Sequence, residues 1–589
     1  MAGSNRSNLK VLGNYLRPYW RKTSIGIGAL LLVNLLGVYI PLLIRNGIDE
    51  LQSSFSFDRV LFYALSTMGL ASMMWVIRMV SRVFLFGVGR QVEFDLKQRI
   101  FQHLLTLEPA YFAANTAGDL INRTTSDVDN IRRLMGFAIL SLANTFFAYL
   151  FTLPIMLSIN VRLTLLALMV YPLMLVLVQL FANTLRSQQL EVQERLSEMS
   201  DLIQEDMSGI SPIKIYAQED NERQAFRKIN DRLLLVNLAF AKTRSTLFPM
   251  LGGLASVSLL VLLWFGSDAI AQGELSIGNF VALLIYVERL VFPTALLGFT
   301  ISAYQRGEVS INRVEEILQT KAQIADETDA ISLPIDRVTG RLVATDLSYA
   351  YPGSDRLALD QLNFEIQPGE MVSIVGPVGC GKSTLANMLP RLLDLKPGQL
   401  WLDGVDVTQL KISDLRGAIA YVPQESFLFS TSIANNIRYS DPNRDLGAVE
   451  AAADRSQIRG EILTFPQQYE TVVGERGITL SGGQRQRTAL ARALLIDAPI
   501  LILDDALSSV DNKTATEILR NLTQEDVNNV KKTVIFISHQ MSAAATADRI
   551  LVMDQGRIVD AGTHDQLLSR PGLYRDLWNQ HTLETLLTA

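Results

Sequence analysis

Residues 376 to 383 read Gly376-Pro377-Val378-Gly379-Cys380-Gly381-Lys382-Ser383. They follow the apolar run MVSIV and precede the helix-forming stretch STLANMLPRLL. Glycines at this spacing let backbone N–H groups close around phosphate oxygens. Lys382 would supply a point charge near β and γ phosphates, and the Ser383 hydroxyl a ligand for Mg²⁺. The eight-residue pattern is loose by itself, and the strand before it and helix after it are the context it needs. Cys380, the single cysteine of the chain, reads as a tolerated small residue of this loop. It can form no internal disulfide, and alkylation there should block the phosphate cradle.

A second group of residues fits the same chemistry. The apolar run 500–503 ends in Asp504 and Asp505, and an apolar strand ending in acid is the second half of a phosphate site, with Asp504 placed to hold Mg²⁺. Between the two lies Leu480-Ser481-Gly482-Gly483-Gln484, followed by Arg-Gln-Arg and a helical stretch. A glycine-rich turn opening a helix is a further anion site, because the helix end presents free N–H groups and a partial positive charge.

The elements that must position these residues divide the chain in two. From about residue 341, short β-branched runs at 371–375, 418–422, 500–503 and 533–537 alternate with helical stretches, the pattern of an α/β domain. Before it lie six apolar stretches, about 24–44, 61–83, 136–158, 163–181, 247–267 and 280–301, each near the roughly 20 residues that a helix needs to cross a bilayer. No short apolar run with a small-residue cleavage site marks a signal peptide at the N-terminus. Residues 3–22 alternate apolar and basic side chains as an interfacial helix does. The long connections between spans 2 and 3 and between spans 4 and 5 are rich in Arg and Lys, so the N-terminus, both loops and everything after span 6 are expected in the cytoplasm. Those loops keep helical periodicity and read as membrane helices prolonged into the cytosol. The expected organisation is an interfacial elbow helix at 1–22, a six-helix membrane domain at 23–318, a linker at 319–340 and a nucleotide-binding domain at 341–589. Hydrophobic residues at 49% and charged residues at 19% exclude a disordered chain. A net charge of −6 offers no broad basic face for nucleic acid.

With LSGGQRQR added to the phosphate loop and the strand ending in two aspartates, the C-terminal half resembles the nucleotide-binding domain of an ABC transporter. The whole chain resembles a half-transporter of the exporter type: a membrane all-α six-helix domain followed by an α/β P-loop domain. The resemblance implies ATP and Mg²⁺ as cofactors, with contacts from Gly376, Gly379, Cys380, Gly381, Lys382, Ser383 and Thr384. Tyr351 in YAYP resembles the residue that stacks on adenine. Gln424 in YVPQ resembles the glutamine linking the Mg²⁺ site to the membrane domain. Residues 474–477 (GERG) resemble an exporter-specific segment, and residues 508–511 (SSVD) the loop that crosses to a second nucleotide-binding domain. His539 in ISHQ resembles the switch histidine on the γ-phosphate. YFAANTAGDLINRTTSDVDNI and the pattern from Gly209 to Glu219 are similar to exporter loops ending in coupling helices. The family's arrangement clamps each ATP between one chain's P-loop and the other's signature, here Ser481, Gly482, Gly483 and Gln484, so a dimer is implied.

One departure bears on mechanism. The family usually carries Glu after the Mg²⁺ aspartate, to orient or deprotonate the attacking water; here Asp505 stands there, one methylene shorter. A shift of about 1 Å in a catalytic group costs on the order of 100-fold. The resemblance is therefore to the degenerate-site subunit of heterodimeric bacterial multidrug-type exporters, whose partner is a second half-transporter with Glu in that place. A slow homodimer, a regulatory ATP-binding subunit and an importer on the same architecture remain open. The expected setting is a bacterial inner membrane and the expected cargo a hydrophobic or amphipathic small molecule, drug-like or lipid-like. The lack of a peptidase-sized segment before span 1 counts against peptide processing. Glu288 and Arg289, near the middle of span 6, are pathway candidates because ionisable groups inside a membrane are costly. They point about 100° apart and need not pair. Arg78 and Arg82 read as lying near the cytosolic end of span 2, and His103, His564 and His581 as solvated or packed side chains.

Overall fold

The six apolar stretches are the cores of six long helices: α1 (Lys10–Gln52), α2 (Phe57–Leu104), α3 (Ala117–Ile159), α4 (Val161–Ser208), α5 (Glu219–Ala271) and α6 (Ile277–Gln319). The computed structural model of the protein describes residues 10–53, 56–474, 477–522 and 531–588. Residues 1–9 of the expected elbow helix, and Glu475 and Arg476 of the GERG segment, lie outside the described residues. From Lys10 the chain is helical and runs into the first span through a 3-10 turn at Arg17–Tyr19, where Pro18 fills a first-turn position that needs no N–H. At 48 residues for α2 and α4 and 53 for α5, these helices reach about 70 to 80 Å, more than twice the roughly 30 Å of hydrocarbon. This is the prolongation that the periodicity of the long loops predicts. Short helices at Pro109–Ala114 and Ile210–Ile215 follow α2 and α4.

The chain forms two compact units. One comprises the residues up to Leu105 with Asn115–Thr320, the other Thr106–Ala114 with Lys321–Ala589. In the first unit α6 is the most buried helix, and buried hydroxyls pin it to its neighbours. Tyr286 donates to the Val38 carbonyl at 2.7 Å, and Tyr171 to that of Val287 at 2.6 Å. A hydrogen bond in hydrocarbon has no water to compete with it, so each fixes register. Away from the apolar core, the same helix carries an ionic network. Arg313 bridges Asp119 at 2.7 Å and buried Asp127 at 3.2 Å, while Arg123 bridges Asp119 at 2.7 Å and Glu316 at 2.8 Å. This ties the start of α3 to the end of α6.

The second unit holds two sheets. An antiparallel one has the order β2-β1-β4-β5, from β1 (Leu342–Ala350), β2 (Leu357–Ile366), β4 (Leu400–Leu402) and β5 (Val405–Asp406). The other has the order β10-β9-β3-β8-β7-β6, from β3 (Met371–Val375), β6 (Ile419–Val422), β7 (Ile500–Asp504), β8 (Thr533–Ile537), β9 (Arg549–Asp554) and β10 (Arg557–Gly562). Within it β9, β3, β8, β7 and β6 pair in parallel. Every residue of β3, β7 and β8 is buried, which is why these strands read as continuous apolar runs rather than alternating ones. Their common direction brings the residues after β3, β6, β7 and β8 to one edge, where ligands bind in open parallel sheets.

Candidate nucleotide site and intramembrane charges

At that edge the chain leaves β3 and turns into helix α7 (Lys382–Met388). Gly376, Gly379 and Gly381 take positive φ, at 153°, 82° and 104°. A Cβ at Gly376 would lie 2.1 Å from the Met553 carbonyl oxygen, and one at Gly381 2.5 Å from that of Ala358. Both glycines are thus required twice, by conformation and by space. Buried Lys382 donates from Nζ to the carbonyls of Gly376 at 2.7 Å and Pro377 at 2.8 Å, so its charge sits inside the loop. Cys380 Sγ is 3.9 Å from that nitrogen, and burial pushes the thiol pKa up.

Ser383 Oγ donates to Asp504 Oδ1 at 2.9 Å, joining the end of β7 to the start of α7. The Tyr421 hydroxyl shares its one proton between Asn387 Oδ1 at 3.0 Å and Asp504 Oδ2 at 3.4 Å. Burial raises the Asp504 pKa, and the hydrogen bonds from Ser383 and Tyr421 offset this only in part. Asp505, also buried, adopts a left-handed backbone at φ 49°. Its N–H donates to Ile537 O at 3.1 Å, which registers it against the end of β8. Burial raises its carboxyl pKa too, against the pull of His539. His539 and Gln424 are both exposed, the first just past β8 and the second just past β6. The Tyr351 hydroxyl lies 3.0 Å from Thr384 Oγ1, and its ring meets Tyr349 edge to face at 5.2 Å. A hydroxyl and a carboxylate converging at Ser383 and Asp504 are oxygen donors of the kind Mg²⁺ takes. Among the described residues no three His, Cys, Asp or Glu side chains gather as a separate metal site. The donor set therefore fits a Mg²⁺ ion that draws its remaining ligands from phosphate and water.

The glycine-rich turn opens helix α8 (Gly482–Leu495) through a reciprocal cap. Gln484 N donates to Ser481 Oγ at 3.2 Å and Ser481 N to Gln484 Oε1 at 2.9 Å. Glu461 accepts from Gln484 Nε2 at 2.8 Å and from Arg487 Nη2 at 2.6 Å. Gln486 reaches the 508–511 loop, donating to Ser508 Oγ at 2.9 Å and accepting from Ser509 N at 2.8 Å. A Cβ at Gly483 would stand 2.8 Å from the Ser509 carbonyl oxygen. No hydrogen bond joins Ser481, Gly482, Gly483 or Gln484 to the loop from Gly376 to Ser383 among the described residues. Tyr421, Asn387, Glu461 and Gln486 were not singled out by sequence. Tyr421 carried a signal, three residues before Gln424 on a strand bordering β7, and so did Gln486, two residues after Gln484 within LSGGQRQR.

In the membrane half the two pathway candidates part company. Glu288 lines a cavity with Ser256, Leu260 and Leu263 of α5. Arg289 turns to another, between α1, α2, α3 and α6, which also holds Arg78 and Arg82.

Six membrane-length helices followed by an open parallel sheet with a glycine-rich loop at its edge define a multi-pass membrane protein with a candidate nucleotide site. Two families match along the sequence, the ABC transporter transmembrane region over residues 23–294 and the ABC transporter domain over 359–508. Multidrug resistance-like ATP-binding protein MdlA of Escherichia coli is 31% identical over 97% of this chain and 96% of its own. An ATP-dependent lipid A-core flippase of Desulfotalea psychrophila is 31% identical over 98% and 100%. The solved structure of a bacterial Atm1-family ABC exporter with ATP bound superposes with a TM-score of 0.77 at 26% identity, covering 95% of this chain and 99% of that one. The chain belongs to the ABC transporters. It is a half-transporter, one membrane domain and one ATP-binding domain, and its ATPase activity is coupled to transport.

Proposed function

We propose that the protein is one subunit of a dimeric exporter in a bacterial inner membrane, paired with a different half-transporter, and that its own P-loop builds the weaker of two ATP sites. The observation that carries this reading is Asp505, a buried carboxylate just past β7 where the family usually has the longer Glu. In this reading the loop from Gly376 to Ser383 and Thr384 binds the phosphates, Lys382 neutralises them, and Tyr351 stacks on adenine. Ser383, Asp504 and Gln424 hold Mg²⁺, which when bound withdraws charge from the β and γ phosphates. Asp505 orients the attacking water and His539 holds the γ-phosphate. Ser481, Gly482, Gly483 and Gln484 present the N-terminus of α8 to the partner's nucleotide. Closure of the two ATP-binding domains is passed on through the short helices that follow α2 and α4, and the membrane cavity turns outward. The cargo is a hydrophobic or amphipathic molecule, as the likeness to a multidrug resistance-like protein and a lipid A-core flippase favours.

A second reading is a homodimer hydrolysing slowly with Asp505. The left-handed backbone at that residue favours it, because Asp takes this conformation more readily than most side chains. Mg²⁺-dependent ATPase turnover of the chain alone in lipid, with ATP binding as the folding control, separates the two. Binding with turnover that rises about 100-fold in Asp505→Glu supports the degenerate site. Robust turnover lost in Lys382→Ala overturns it in favour of the homodimer.

A further inference from the structure

A cavity of about 570 Å³ lies within the membrane half, bordered by α1, α2, α3 and α6 of a single chain. Its size is that of a small-molecule site. Three arginines line it, Arg78 and Arg82 from α2 and Arg289 from α6, and no acidic residue does. None of the three has a carboxylate partner among the described residues. Arg289 is a built feature. Its Nη2 donates to the Asn34 carbonyl at 3.1 Å and lies 3.5 Å from Asn34 Oδ1. Asn34 is itself held by Asn144 at 3.1 Å. A Cβ at Gly37 would sit 2.2 Å from Arg289 Nη1, so a glycine on α1 makes room for the guanidinium. A guanidinium has five N–H donors, and the contacts with Asn34 engage only one of its nitrogens. Ser81, fully buried on the same wall, has a hydroxyl without a hydrogen-bond partner among the described residues. The remaining walls are apolar, with Leu30, Val33, Ile40, Phe86, Phe137 and Phe292.

Uncompensated positive charge inside a membrane is costly and marks a function. Here it stands beside an unused hydroxyl and a greasy wall, all facing one space. We infer that this cavity binds an anionic amphiphile, with a carboxylate, phosphate or sulfate head on Arg78, Arg82, Arg289 and Ser81 and a tail along the phenylalanines. The inference deepens the export reading and rests on it for what the bound molecule is for; binding itself does not require it. Glu288 faces a different cavity and leaves this one without a counter-charge.

The test uses the full chain in phosphatidylcholine nanodiscs with two fluorescent probes that differ only in charge, dansylaminoundecanoic acid and its methyl ester. The acid is expected to bind at least about tenfold more tightly than the ester, as hydrogen bonds to a charged head require. The preference should fall toward parity in Arg78→Ala/Arg82→Ala and in Arg289→Ala, with ATP binding retained as evidence of folding. Equal affinity of the unmodified protein for acid and ester overturns the inference, whatever the variants do. So does a preference that survives all three substitutions in folded protein. Displacement of the acid when phosphatidylglycerol is added to the discs would identify the head as a lipid's; persistence would identify a smaller soluble anion, and both uphold the site. ATP-driven uptake into inverted vesicles is read separately. Acid binding without any uptake would sink the export reading and leave the site standing, whereas uptake of a cationic dye with no preference for the acid would do the reverse.

Discussion

Asp504 and Asp505 are two carboxyls held at the end of one buried strand, and burial raises the pKa of both. A raised carboxyl pKa means that the folded state holds the proton more tightly than the unfolded chain. The associated stability is complete below the ordinary aspartate value of about 4 and is lost as pH rises through the folded value. At neutral pH the nucleotide-free protein therefore carries a charge penalty at these two carboxyls, as a site kept for function rather than stability would. Asp504→Asn is expected to raise the melting temperature of the nucleotide-free protein at pH 7 while abolishing Mg²⁺-dependent turnover. The stability gain should shrink as the melt is repeated toward pH 4, and a gain independent of pH would contradict the assignment. Asp505→Asn suits the same left-handed backbone and is the conservative way to remove that carboxylate. Cys380 lends itself to a second measurement. Its thiol is buried with its pKa pushed up, so alkylation by N-ethylmaleimide should be slow, slower still with ATP present, and should end ATP binding once complete. Fast alkylation indifferent to ATP would place the thiol elsewhere than in the phosphate loop.

Two elements depend on small polar clusters. The first turn of α8 rests on the reciprocal cap of Ser481 and Gln484, with Glu461 beneath it. Ser481→Ala should cost about 1 kcal/mol, visible in the melting curve. Glu461→Ala, which releases both Gln484 and Arg487, should impair turnover of the assembled dimer more than ATP binding by this chain. In the membrane half, Arg313 is the cation facing buried Asp127, where Ser310 also donates at 2.7 Å. Arg313→Ala should destabilise by about 2 kcal/mol, and adding Asp127→Asn should recover part of that, since the penalty is an uncompensated buried charge. Such supports were not legible in the sequence, for a physical reason. The phosphate loop and the Asp504-Asp505 pair could be read because each lies within one strand and the turn after it. Glu461 reaches Gln484 across 23 residues. Tyr421 meets Asp504 only because β6 and β7 pair with Tyr421 opposite Ile502. The divergence of neighbouring Glu288 and Arg289 follows from helical geometry and was legible; the two separate cavities they reach were not. The setting of Arg289 depends on Asn34 and Gly37, some 255 residues earlier on another helix, and a lone arginine in an apolar run carries no sign of them. Arg78 and Arg82, read as lying near the cytosolic end of span 2, share that cavity with Arg289.

Taken whole, the molecule is an engine whose working parts lie in two units and whose second half must come from another chain. Purified with a half-transporter that carries Glu in the corresponding place, the protein should show turnover well above the sum of the two chains alone. In that pair Lys382→Ala here should cost less than the same change in the partner; equal losses would argue for two equivalent sites. The single thiol of the chain has a practical consequence at this scale. Because Cys380 is the one cysteine in 589 residues, a single change to serine, close in size, yields a thiol-free transporter. Any later cysteine becomes a unique attachment point, so spin labels on Ile215 or Tyr216, both exposed in the segment linking α4 to α5, could record distances through the transport cycle against a silent background.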